Sequence, residues 1–372
     1  MRVSASLVRG GTSKCWLFDH RHVPATLDGL ERLLVDAYGA KDPVHLDGVG
    51  GATPTTSKAA VVKPCPDEGV DVEYLFGQVG IGVDRVEWGS NCGNCATAIA
   101  LWSVTRGLVP ISGDLTRVVM RNTNTGALLE ATVDTAGGLV PEFGTQTVPG
   151  TRSGGVAVGL TFLDPAGRTT GALLPTGNAD DELRLAGETV RVTMLDAGAP
   201  VVLVDAAAAG LTGAEPVAAL RGEVGWLRSV RHAAAPRMGL LRAGEEPGDA
   251  VPKVGLVGAP VPYVSSTGDR VAASDYDVSV RMLTMNDPHP AIGLTSAVAI
   301  AAAHLVDGSV VRRVSTATAD SQLRIGTPAG VVLVSATDIG PSGPHRVTVR
   351  RAARVLCDAE ILVPEPALPT AA

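Results

Sequence analysis

The sequence predicts an α/β protein of two domains, and three observations carry that expectation. The chain has 372 residues, enough for two domains at roughly 150 residues each. Its 44 glycines and 25 prolines cut it into short segments, which favours strands joined by tight turns over long helices. Two stretches about one domain length apart, Gly93-Asn-Cys-Ala-Thr-Ala-Ile-Ala-Leu and Gly293-Leu-Thr-Ser-Ala-Val-Ala-Ile-Ala, each run from a glycine through a polar residue into a helix of small apolar residues. Two related domains, each with a central helix, would produce this echo. Chance similarity between alanine-rich helices would produce it equally well, and in this alignment Ile292 stands opposite Cys92.

The elements follow in order. Residues 2–9 and 14–19 read as strands around the turn Gly10-Gly11-Thr12-Ser13. Leu27, Leu30, Leu33, Leu34 and Ala37 recur at helical spacing, which predicts a helix over 27–38. Ala59 to Val62 is a buried-strand pattern, and 70–79 alternates as a second strand. A glycine-rich turn, Trp88-Gly-Ser-Asn-Cys-Gly-Asn-Cys, feeds an apolar helix at 96–104. Strands are expected within 117–135 and at 155–163, then at 189–195 and 200–205. A helix is expected over 214–234, a strand over 252–257, and a second glycine-turn-to-helix unit over 288–305. The Val-rich segments 309–317, 321–325, 330–335, 345–350 and 353–363 are expected to be mostly strand. The polar break Thr176-Gly-Asn-Ala-Asp-Asp sets the expected domain boundary, giving domains 1–180 and 181–352, the first completed by a last strand at about 353–372.

Composition excludes several classes. Lys plus Arg total 31 against 38 Asp plus Glu, a net charge of −7, which gives no electrostatic footprint for nucleic acid. Aromatic residues are 3% of the chain, so stacking platforms for bases are scarce. No signal-peptide run opens the chain, and the apolar stretch 291–306 is broken by polar residues and too short to span a bilayer, so a soluble cytoplasmic protein is expected. Five cysteines, Cys15, Cys65, Cys92, Cys95 and Cys357, are an odd number, which argues against a disulfide framework. Cys92-x-x-Cys95 lacks the second ligand pair of a zinc site, and its redox use stays open. There is no H-E-x-x-H, no G-x-S-x-G, and no P-loop spacing in Arg9-Gly-Gly-Thr-Ser-Lys14.

Two sites carry candidate chemistry. A thiol at a helix N-terminus meets unpaired N–H groups and a partial positive charge, so the Cys92 pKa is expected to fall. Asn91 and Asn94 can add hydrogen bonds, and the same N–H groups can hold a carboxylate. Lys58 closes the polar run Asp47-Gly-Val-Gly-Gly-Ala-Thr-Pro-Thr-Thr-Ser and enters an apolar strand, where desolvation would make it a usable base. A buried structural cysteine and a surface lysine are the competing accounts.

Together, Arg9-Gly-Gly-Thr-Ser-Lys14, Asp47-Gly-Val-Gly-Gly with Thr56-Ser-Lys58, Asn91-Cys-Gly-Asn94, Asp164-Pro-Ala-Gly167 with Gly171-Ala-Leu-Leu-Pro-Thr-Gly-Asn178, Pro252-Lys253, Arg281-Met282 and His289-Pro-Ala291 resemble the PrpF family of 2-methylaconitate cis-trans isomerases, relatives of diaminopimelate epimerase. The resemblance runs from near the N-terminus to about residue 335. It implies two similar epimerase-like domains, each a curved, mostly antiparallel sheet around a central helix, with the active site in the cleft between them. It implies Lys58 and Cys92 as the acid/base pair of a cofactor-free isomerisation, and small unsaturated di- or tricarboxylates as substrates. Metal is not expected, and a homodimer stays open.

An allylic 1,3-proton shift needs one group to remove a proton, another to return it two carbons away, and donors for the carboxylate. The candidate donors are Thr12, Ser13, Lys14, Ser57, Asn91, Gly93 and Asn94 in the first half, and His289, Gly293, Leu294, Thr295 and Thr327 in the second. Arg281 is a candidate partner for a second carboxylate. Departures from the family pattern fall at Cys15, at Gly-Ser-Asn before the thiol, and at Gly326-Thr-Pro-Ala-Gly330, where a histidine is usual. Epimerisation with a second thiol is disfavoured by Ile292. Carboxylate capture without turnover is a further alternative.

Overall fold

The computed structural model describes residues 1–88, 92–185, 187–242, 244–318 and 322–364. The chain divides into two compact units, one of 1–160 with the stretch from Arg351 onward, the other of 161–350. The first division falls earlier than the polar break at Thr176–Asp181.

The first unit contains β1 (Arg2–Gly10), β2 (Ser13–Asp19), α1 (Leu27–Tyr38), β3 (Lys58–Pro64), β4 (Val72–Val79), β5 (Val86–Glu87), α2 (Gly93–Thr105), β6 (Leu115–Asn122), β7 (Leu128–Asp134) and β8 (Val156–Leu163). Its strands run β1-β2-β3-β4-β6-β7-β8. Only the β2–β3 and β4–β6 pairs are parallel among those with a described register. Helix α2 packs against β1, β2, β3, β6 and β7, and Cys95 through Val104 are all buried. A helix that is apolar on every side has no solvent face, and its alanines let strands approach closely. Gly10 shows how closely: a Cβ there would meet the backbone of Ala98 at 2.8 Å. Helix α1 lies on the other side of this sheet. It is capped by Thr26, ends at Gly39 in the left-handed conformation, and buries Leu30, Leu33 and Leu34.

The second unit contains β9 (Asp181–Leu185), β10 (Glu188–Ala197), β11 (Ala199–Asp205), α3 (Val217–Leu220), α4 (Val224–Arg237), β12 (Lys253–Gly258), β13 (Tyr263–Val264), β14 (Arg270–Val271), β15 (Val278–Met282), α5 (Leu294–His304), α6 (Val310–Val314), β16 (Gln322–Thr327), β17 (Gly330–Gly340) and the start of β18 (Gly343–Leu362). The order is β18-β17-β16-β15-β12-β11-β10-β9, again mostly antiparallel. Helix α5 repeats the pattern of α2: Ser296 through His304 are buried against β10, β11, β16 and β17. The later part of β18, from Ala353 to Leu362, pairs with β1.

Two expectations are corrected, and two expected strands prove to be joined. The helix expected over 214–234 is broken into α3 and α4 by a single turn at Arg221–Glu223, where Gly222 is a weak helix former. The strand expected over 309–317 is helix α6, because the Ser309 hydroxyl accepts from Arg312 N at 3.0 Å and caps the turn, overriding the β-propensity of its valines. The segments 345–350 and 353–363 are one continuous strand, β18. No described helix is long and apolar enough to cross a membrane.

Candidate active site

The turn between β1 and β2 must pass close to the start of α2, and glycine permits it. Gly11 adopts φ +53, and a Cβ there would lie 2.9 Å from Arg351 Cζ. The neighbouring side chains form one network. Asn94 Nδ2 donates to Thr12 Oγ1 at 3.1 Å and to Ser13 Oγ at 3.2 Å. Arg351 Nη2 donates to Asn94 Oδ1 at 2.6 Å. Thr12 is half-buried and Ser13 buried. Lys14 is half-buried, and its N–H is spent on Thr55 O.

Cys92 is the N-cap of α2, and its Sγ accepts from Cys95 N at 3.4 Å. Its thiol is pushed well up, contrary to the expected fall. The Cys95 thiol beside it is the largest cause, followed by burial; the Lys58 charge and the Cys95 N–H pull the other way without winning. Burial pushes Cys95 up as well, with Cys15 behind it. The sequence shows the helix N-terminus and Cys95 three residues on, but not that burial and the contact between the two thiols outweigh the helix end. Gly93 opens the helix, and its carbonyl accepts from Thr97 Oγ1. Asn91 lies outside the described residues.

Lys58 starts β3, opposite Gln78 of β4. Its Nζ donates to Gln78 Oε1 at 2.6 Å and stands 5.2 Å from the centre of the Phe76 ring. Gln78 Nε2 donates in turn to Ser57 O. Ser57 is fully buried, with its hydroxyl 3.5 Å from His45 Nδ1. His45 is buried and anchors the glycine-rich loop, its Nε2 donating to Gly80 O and its Nδ1 accepting from Ala52 N.

Sequence reasoning missed Arg351, Gln78 and His45. Arg350 and Arg351 are adjacent in a strand, so one of them must face inward; that was the available signal for Arg351. Nothing local marks Gln78, since the β3–β4 register creates its role.

In the second unit, Gly293 is the N-cap of α5 without a side-chain cap, followed by half-buried Leu294 and Thr295. Counted from the helix start, Gly293 rather than Ile292 corresponds to Cys92. His289 Nδ1 accepts from Ala291 N at 3.0 Å, and burial, with Lys253 nearby, lowers its pKa to about 4. Arg281 is 1% exposed; its N–H groups go to the carbonyls of Glu215, Val280 and Gly326, and its guanidinium stands over the Tyr263 ring. Thr327 is fully buried, its hydroxyl donating to Gly330 O.

The two-unit architecture with a buried helix in each unit is a diaminopimelate epimerase-like fold. The chain belongs to the PrpF protein family, whose model matches residues 1–364. It is 33% identical to a 2-methyl-aconitate isomerase of Shewanella oneidensis over 98% of both chains. It is 37% identical to a 4-oxalomesaconate tautomerase of Pseudomonas putida, over 88% of this chain and 87% of that one. Among solved structures it resembles a methylitaconate-delta-isomerase, with a TM-score of 0.88 and 29% identity, covering 98% of this chain and 96% of that one.

Proposed function

We propose that this protein is a cofactor-free isomerase that moves a double bond in a small unsaturated carboxylic acid by a 1,3-proton shift, with Lys58 and Cys92 as the proton-transfer pair. The observation that carries this reading is the position of Cys92 at the N-terminus of α2, within the field of Lys58. The substrates named for the relatives are all small unsaturated polycarboxylic acids.

The amine form of Lys58 takes a proton from the allylic carbon. The double-bond electrons shift, and the negative charge spreads onto the conjugated carboxylate. The N–H groups of Gly93 and Asn94 at the start of α2 and the hydroxyls of Thr12 and Ser13 hold that charge. Cys92, which burial and Cys95 keep protonated, delivers its proton to the carbon two positions away. Passage of the proton from the Lys58 ammonium to the Cys92 thiolate resets the pair.

Proton NMR in D₂O with methylaconitate, methylitaconate and oxalomesaconate tests this. The wild type should shift the double bond of at least one acid. Lys58→Met should abolish both the shift and exchange at the donor carbon, whereas Cys92→Ser should exchange that position while forming little product. A folded wild type that binds these acids without exchange or migration overturns the reading in favour of carboxylate capture.

A further inference from the structure

We infer that Arg351 is the positioning residue of the Cys92 site: its guanidinium locks the Asn94 amide and supplies the permanent positive charge that supports Cys92 once its proton has left. This deepens the proposed proton transfer and rests on it.

Arg351 is 4% exposed. Its Nη2 donates to Asn94 Oδ1 at 2.6 Å, its Nε has no hydrogen-bond partner, and no carboxylate pairs with it among the described residues. A buried cation without a counter-ion is unfavourable unless an anion forms beside it. Cys95 from α2 and Lys58 from β3 act on Cys92, and the charge of Cys92 is felt in turn by Arg351 from β18 and Tyr74 from β4. Cys15 from β2 and Tyr38 from α1 stand behind Cys95, and Arg9 from β1 faces Arg351. Arg351 binds Asn94, two residues beyond Cys92 in the first turn of α2, and the anion that this set can form there is the Cys92 thiolate.

Lys58 loses its charge whenever it is the amine. Arg351, lowered by burial to about 10, stays charged at neutral pH. It also orients the donors. With Asn94 Oδ1 occupied by the guanidinium, Asn94 Nδ2 must face Thr12 and Ser13, whose oxygens accept from it. Their own protons are then left to point at a ligand.

The test follows alkylation of Cys92 by iodoacetamide against pH, read on the Cys92 peptide by mass spectrometry in the full chain without substrate. It therefore stands or falls apart from turnover. Arg351→Met should move the midpoint upward by about one pH unit, a roughly tenfold slower alkylation at fixed pH below it. Arg351→Lys should keep the midpoint near wild type. Circular dichroism checks folding. If Arg351→Met does not fold, Asn94→Asp takes its place, since a carboxylate on Arg351 should neutralise it and raise the midpoint. The proposal is overturned if a folded Arg351→Met or Asn94→Asp keeps the wild-type midpoint, or if Arg351→Lys moves it as far as Arg351→Met.

Discussion

Gly11→Ala probes the strand turn, the buried arginine and the thiol together. Gly11 sits at φ +53, where alanine costs about 1 kcal/mol. The new Cβ would overlap Arg351 Nη2 and Asn94 Oδ1 and lie 2.9 Å from Arg351 Cζ. Relief requires the guanidinium to leave Asn94, and a hydrogen bond from a charged group is worth about 1.5–3 kcal/mol. The expected loss is therefore about 2.5–4 kcal/mol. Gly126 gives the control: it has φ +72 and nothing within 4 Å of the added Cβ, so Gly126→Ala should cost only the conformational term of about 1 kcal/mol. Urea unfolding followed by tryptophan fluorescence measures both. Displacement of Arg351 should also raise the Cys92 alkylation midpoint in Gly11→Ala and leave it unchanged in Gly126→Ala. Equal losses in the two variants, or a large loss with an unmoved alkylation midpoint, would refute the reasoning.

Two further outcomes are expected. Gln78→Leu removes the acceptor that aims Lys58 Nζ, so kcat should fall tenfold to about a hundredfold by loss of one charged hydrogen bond. His289 has its pKa lowered from 6.5 to about 4 in the folded chain, so its stabilising contribution is full above pH 6.5 and is lost as pH falls toward 4. A pH series of urea midpoints should show a decline of about 2 kcal/mol across that window after allowance for partial exposure, and it should flatten in His289→Asn. An unchanged slope in that variant would assign the decline to other groups.

The parts legible in the sequence were those encoded locally. The 3.6-residue spacing of leucines marked α1, and the glycine-to-alanine transitions marked α2 and α5, because a fully buried helix needs small residues and a flexible entrance. The two candidate proton-transfer residues also lie at local transitions, where a polar glycine-rich run turns apolar. What could not be read depends on residues distant in sequence. The pairing of Lys58 with Gln78 follows from the β3–β4 register, and Arg351 reaches Asn94 from 257 residues away. The short strand β15 was not anticipated at all. The direction of the Cys92 shift differs from the expected fall because the strands around α2 bury the thiol against Cys95; the Cys95 residue is local, but its burial with Cys92 is not.

The balance at Cys92 bears on how a thiol serves in this chemistry. An activated nucleophilic cysteine has its pKa depressed, so that the thiolate persists at neutral pH. Cys92 has the opposite bias: Cys95 and burial favour the neutral thiol, and Lys58 opposes them. With Arg351 also acting on the site, such a thiol resists ionising at rest but has two cations ready for the charge it acquires on giving up a proton. That combination suits a proton donor. A donor must hold its proton until the substrate is in place, and it must then lose the proton without leaving an unsupported charge in a buried site. Removing Cys95 therefore separates two accounts of the C-x-x-C. If the second thiol serves only to keep Cys92 protonated, Cys95→Ala should lower the Cys92 alkylation midpoint. If instead the pair acts chiefly through disulfide formation, the reduced Cys95→Ala variant should alkylate like the wild type, while inhibition by peroxide disappears.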